Sequence, residues 1–308
     1  MCKMLRQIPR RSLQLTRRVQ HFSSPPDAQP PSRNFYDDLS QYVKRVLDRS
    51  DQLKRYEEHN VFPPNNWAFR NYYLYAQLQL PSKTEIDAVE FLDGAKFACD
   101  RVIRAMHSPE LMDFASDKAP KPPIADEMEQ MFEPTCYQAQ FLPRAKRLGL
   151  GVSSLELKEL DFTGVYLSGV KLERVTRAML KAEEKLRAVA LQAIAEQKQT
   201  MKQMRTVGEK QNTAELLSLL SSVQEKLESV EVEPNDDSET FERLQLSTLI
   251  RTTQTVEVVS EKTAERITVK SDVKTMMCFE SFVTDLQDVD WQIMKMNQFG
   301  RVVSHTKD

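Results

Sequence analysis

The sequence predicts an α+β fold, from helical spacing in its first half, a change of period near residue 155, and closely spaced strands at its end. Ala88, Phe91, Leu92, Ala95, Cys99, Val102, Ile103 and Met106 recur at three- and four-residue steps, the stripe of a helix burying one face. From Leu155 the period falls to two, with Leu155 and Leu157 alternating with Glu156 and Lys158. From Leu244 to Phe299, runs rich in Thr, Val and Ile are separated only by short turns, which implies an antiparallel sheet.

The elements follow in order. Residues 35–58 read as one polar helix, with Leu39, Val43, Val46, Leu47 and Leu53 at helical spacing, ended by Pro63-Pro64. The core helix is expected to start near Ser82, with Ser82 and Glu85 as a capping box. Ser108-Pro109 stops it, and Pro109 opens a short helix that turns Leu111, Met112 and Phe114 inward. Residues 126–142 read as another short helix. The first strand starts at Leu155 and is expected to bend at Gly164.

Residues 171–240 form an expected helical, coiled-coil-like insertion. Its first part lacks Gly and Pro and carries Glu173–Arg177 and Glu183–Arg187 at i, i+4. A second helix is expected over 213–229, then an acidic linker around Pro234-Asn235-Asp236-Asp237. Strands are expected over 244–259, 266–273, 274–286 and 291–299, with turns at 262–265 and 288–290. Residues 301–308 read as a tail.

Charge separates the beginning of the chain from the rest. Residues 1–26 hold six Lys and Arg and no Asp or Glu. Subtracting those six from the 43 basic residues leaves 37 against 45 acidic, a net of −8 over 27–308. That balance disfavours wrapping a phosphate backbone, so nucleic acid is not an expected partner outside a ribosomal setting. On a helix from Arg10 to Phe22, Leu15, Val19 and Phe22 share a face opposite Arg10 and Arg17, the pattern of a matrix-targeting peptide. Its removal is expected between Val19 and Ser32. Residues 1–33 are thus read as targeting peptide and Pro-rich spacer, and 34–64 as an amino-terminal helix. No run of apolar residues is long enough to span a bilayer.

Over residues 67–80, Trp67, Phe69, Tyr72, Tyr73 and Tyr75 accompany a single charge, Arg70. These six are candidate contacts for a membrane interface or a partner. The alternative is packing against the domain itself. Phe91, Phe279, Phe282 and Trp291 are candidates to line a space between sheet and helix, read either as core or as a groove for a peptide or acyl chain.

Three stretches carry a resemblance to a known family: Glu90-Phe91-Leu92-Asp93-Gly94-Ala95-Lys96, Val256 to Val269, and Met277 to Met296. They resemble the Tim-forty-four-like domain: the carboxy-terminal domain of the inner-membrane import-motor subunit, a membrane-tethering protein of the large mitochondrial ribosomal subunit, and the m-AAA protease-interacting protein. Asn66-Trp67 with its aromatic run looks closest to the protease-interacting branch. The resemblance implies helices packed on a curved antiparallel sheet, like nuclear transport factor two or cystatin, split here into residues 65–170 and 241–300 by the insertion. It also implies a non-catalytic adaptor in the mitochondrial matrix, peripheral to the inner membrane, whose partner is the m-AAA protease, the import motor or the mitochondrial ribosome. The alternative function is a structural tether of the large ribosomal subunit.

The residues themselves suggest no enzyme and no cofactor. His21, His59, His107 and His305 lack HxxxH or HExxH spacing, so no metal site is expected. Seven glycines form no phosphate-binding loop. Cys2, Cys99, Cys136 and Cys278 are too scattered for a disulfide framework.

Overall fold

The computed structural model describes residues 35–207, 240–285 and 289–307. The targeting segment, the second helix and most of the acidic linker of the insertion, and Asp288 of the final turn lie outside them. The architecture is α+β. Helices α1 (Phe35–Asp48), α2 (Ser50–Glu58), α3 (Ala68–Leu78), α4 (Ala88–Met106), α5 (Pro109–Ala115), α6 (Pro123–Met131), α7 (Pro134–Cys136) and α8 (Leu142–Leu148) come first. Strand β1 (Val152–Thr176), helix α9 (Arg177–Val207) and strands β2 (Thr240–Ser260), β3 (Arg266–Phe282) and β4 (Gln292–Lys307) follow. The four strands form one antiparallel sheet in the order β1-β2-β3-β4.

The core lies between α4 and one face of the sheet. Leu244, Leu246 and Ile250 of β2 and Met277 and Phe279 of β3 join Phe91, Leu92, Ala95, Val102 and Ile103 of α4 in one buried cluster. Phe91 meets Phe279 edge-on at 5.5 Å between ring centroids, and Trp291 at 4.9 Å. Each of these large side chains contributes roughly 1.5–3 kcal/mol through apolar burial. The same sheet face also carries Thr248, Thr252, Gln254 and Thr275, all buried.

Several boundaries differ from the sequence reading. The single helix expected over 35–58 breaks at Arg49, whose side chain donates to Gln79 Oε1 at 3.0 Å and pairs with Glu85 at 3.2 Å. The core helix starts at Ala88, capped by Asp87, which accepts from the Val89 amide at 2.9 Å. Ser82 is not a cap: its amide and hydroxyl both donate to Glu242 at the start of β2. The helix expected over 126–142 is divided at Pro134, and a π-helical turn at Tyr137–Phe141 precedes Pro143, which lacks the N–H a continuing helix needs.

The insertion begins later than residue 171, because β1 continues to Thr176 in register with Thr240. Tertiary pairing overrides the helical spacing of Glu173 and Arg177. Shifts of register after Val152, Leu157, Phe162 and Leu167 mark irregularities that bend β1, one of them ending at Gly164. The two strands expected over 266–286 are one strand, β3. Residues 301–307 are not a tail, for β4 pairs with β3 as far as Lys307 opposite Ile267.

Helix α9 opens on Thr176, whose Oγ1 accepts from the Met179 amide at 3.3 Å. Side chains alternate between faces along a strand, so Arg243 and Glu280 lie on the face opposite Leu244 and Phe279. There α9 docks. Arg243, 8% exposed, donates to both carboxylate oxygens of Glu183 on α9 and to Glu173 on β1. One turn later Arg187 lies 3.6 Å from Glu133 and 3.9 Å from Glu280. Burial opposes the charge on Arg243, but its hydrogen bonds to the Glu183 and Glu173 carboxylates outweigh it and raise its pKa.

Candidate functional site: an aromatic surface on α3

The end of α3 is sequestered while its beginning is displayed. Leu74, Tyr75 and Leu78 are buried, and the Tyr75 hydroxyl donates to the Val46 carbonyl of α1 at 2.7 Å. Burial raises the Tyr75 pKa to about 12, with Tyr56 and Tyr72 adding to the effect, so the phenol stays protonated as that donor. Tyr42 of α1 donates to the Ala76 carbonyl at 3.2 Å, and Arg45 to that of Gln79 at 3.1 Å. These contacts hold α1 and α3 together as a rigid support.

On that support Trp67 is 70% exposed, Phe69 63%, and Tyr72 and Tyr73 45% each. The Trp67 and Phe69 rings touch at 5.3 Å between centroids. The Arg70 guanidinium lies 5.5 Å from the centre of the Tyr73 ring and donates to the Ser168 carbonyl of β1 at 3.4 Å. Gln77 donates to the Tyr73 hydroxyl at 3.0 Å. Five of the six residues singled out in the sequence therefore share the exposed part of this helix or its entry. The sixth, Tyr75, is core.

Helix α1 carries an exposed apolar stripe of its own. Leu39, Val43 and Leu47 of α1 are exposed at successive turns and line a shallow depression with Ser40, Lys44 and Asp48. In the sequence their helical spacing marks one apolar stripe on a polar helix. Spacing shows that they share a face but not that the face is covered; Tyr42, Arg45 and Val46 are what α1 turns toward α3.

The second group of candidates separates. Phe91, Phe279 and Trp291 meet inside the core. Phe282 does not join them. It lies an odd number of residues from Phe279, so it faces the other side of the sheet, against Phe241 at 6.2 Å. The expected sheet pocket is filled by these side chains.

Cys99 and Cys136 are buried, while Cys278 and His107 are half-buried. Burial pushes the Cys99 and Cys136 thiols up to about 12 and raises Cys278 as well, so all three are thiols at neutral pH. Burial lowers the pKa of His107, whose Nδ1 lies 2.8 Å from the Ile103 carbonyl. Among the described residues no group of His, Cys, Asp or Glu is arranged to hold a metal ion, and no helix is long and apolar enough to cross a membrane.

What the aromatic surface can do is physical. Tryptophan and tyrosine offer apolar faces with polar edges, which suits the boundary between water and a lipid or protein surface. The chain was compared with family models, curated proteins and solved structures, and none of them matches it.

Proposed function

We propose that the chain is a non-catalytic adaptor working in the mitochondrial matrix against the inner membrane. The observation that carries this reading is the display of Trp67, Phe69, Tyr72 and Tyr73 on a helix whose other side is locked into the core. Rigid exposed aromatics lose little conformational entropy on docking, so they serve binding at low cost. The basic, acid-free residues 1–26 and the resemblance to Tim-forty-four-like domains supply the compartment. The charged helix α9 supplies an arm for a protein machine, with the m-AAA protease, the import motor and the large ribosomal subunit as the partners that the resemblance suggests.

The test is flotation of the full chain with vesicles containing anionic lipid, beside affinity purification with cross-linking from mitochondria. Replacing Trp67, Phe69, Tyr72 and Tyr73 together by Ala is expected to lower vesicle binding at least about tenfold, because each buried ring is worth roughly 1.5 kcal/mol or more. The melting temperature should change little, since all four rings are exposed. A variant that floats like the parent chain would end the membrane part of this reading. Loss of partner cross-links without loss of flotation would assign the surface to a protein instead.

A further inference from the structure

The two edges of the sheet are treated differently. Strand β1 has four register irregularities against β2 and carries Glu156, Lys158, Glu159 and Asp161, which together discourage pairing with another chain, whereas residues 299–306 of β4 have one irregularity, at Val303, and a single acid opposite them. Along β4 the outer edge is at first closed by the protein itself. The Glu133 amide donates to the Ile293 carbonyl at 3.0 Å, with Phe132 bridged to Ile293. Gln140 then accepts from the Met296 amide, and Arg144 donates to the Gln298 carbonyl at 3.2 Å. This cover stops at Gln298. From Phe299 to Thr306 the strand stays paired with β3 on its inner side, and no partner takes its outer side among the described residues.

The bare stretch carries Phe299, Val302 and Val303, each more than half exposed. Its surroundings are basic. Arg301 is exposed on the strand, Lys274 and Lys270 stand opposite Phe299 and Ser304 on β3, and Arg144 closes the covered end. One acid stands among them, Asp272 opposite Arg301, which accepts from Thr253 at 3.0 Å and leaves the cations in excess. A second copy pairing across a two-fold axis would bring these cations together from both chains, which disfavours self-association.

We infer that the outer edge of β4, residues 299–306, is a strand-addition site for an extended acidic segment of a partner protein, in which β-branched residues alternate with Glu or Asp. Backbone hydrogen bonds would supply general affinity, and the cations would select the acidic strand. This inference is independent of the aromatic surface on α3.

The probe is a short, proline-free fluorescent peptide of Val and Thr alternating with Glu, titrated into the full chain and followed by anisotropy and amide hydrogen exchange. Binding should slow exchange at residues 299–306. The counterpart with Lys in place of Glu should bind at least about tenfold more weakly, and so should the Glu peptide against Arg301→Glu with Lys274→Glu. Val303→Pro should abolish the protection. The register slips by one between Val302 and Ser304, so Val303 faces no β3 residue and its replacement should leave the circular dichroism and melting unchanged. No binding, equal binding of both peptides, or protection elsewhere would overturn the inference. So would a dimer of the free chain that Val303→Pro dissolves, which would make the occupant a second copy.

Discussion

A Cβ built on Gly164 would fall 2.3 Å from the Tyr166 hydroxyl and 2.5 Å from its Cζ, because the ring lies back over the glycine. There the Arg251 guanidinium sits 5.7 Å from the ring centre. Gly164→Ala must push the ring aside and loosen that contact, at an expected cost of about 1 kcal/mol. Chemical denaturation should show it, and should show a smaller effect in a Tyr166→Ala background, where the ring is gone. The sequence pointed to a bend at Gly164 but not to the ring above it. Glycine in a strand is a visible signal, whereas the side chain that occupies its space is a matter of rotamer and register. The same distinction explains Tyr75. Five aromatics within nine residues are conspicuous, yet which of them faces inward depends on where α1 lies, and α1 is remote in sequence.

Helix α9 shows how an element is placed by charges that a local reading treats as solvated. Spacing alone pairs Glu183 with Arg187 at i, i+4, but Glu183 turns to Arg243 and Arg187 to Glu133 and Glu280. Partners more than fifty residues away cannot be found by spacing. The strand at 171–176 is hidden from a local reading for a related reason, since Glu173 faces Arg243 across the ladder, and that pairing prevails over modest helix propensity. Hydrogen bonds from Lys171 and then Arg243 hold the Glu173 carboxyl below its ordinary range. A carboxyl lowered in the folded state stabilises it fully above the unfolded value, about 4.3, and loses that contribution as pH falls through the folded value. Amides early in α9 should therefore exchange at a steady relative rate between about pH 5 and pH 8 and lose protection below about pH 4. Glu173→Gln should flatten that loss. A profile unchanged by the substitution would mean that Glu173 does not govern the docking.

At the scale of the molecule, helices from the first half and strands from the second share one buried cluster, with Phe91 at their meeting point. Phe91→Ala should cost about 3–5 kcal/mol. Because the ring touches both Phe279 and Trp291, fluorescence of Trp291 in a Trp67→Phe background and circular dichroism of the helices should still report one transition at a lower denaturant midpoint. Two separated transitions would show that the halves fold apart. The α+β class and the long helix α4 were legible because their periodicity is sustained over many residues. The full reach of β4 was not, since Gly300 and the polar residues on either side of Val302-Val303 resemble an ending until β3 is seen alongside.

The pairing of Thr176 with Thr240 makes everything from 177 to 239 a detour between the two ends of a single rung. Topologically it is the tip of a hairpin, however much chain it contains. Replacing it by Asn-Gly should keep the strands aligned and relieve about 3 kcal/mol of closure entropy, with Arg243 still held by Glu173 on β1 once Glu183 is gone. Such a trimmed chain, if it folds to the parent's sheet signature while losing its cross-linked neighbours, would show that the scaffold and the arm can be inherited, exchanged or discarded as separate parts.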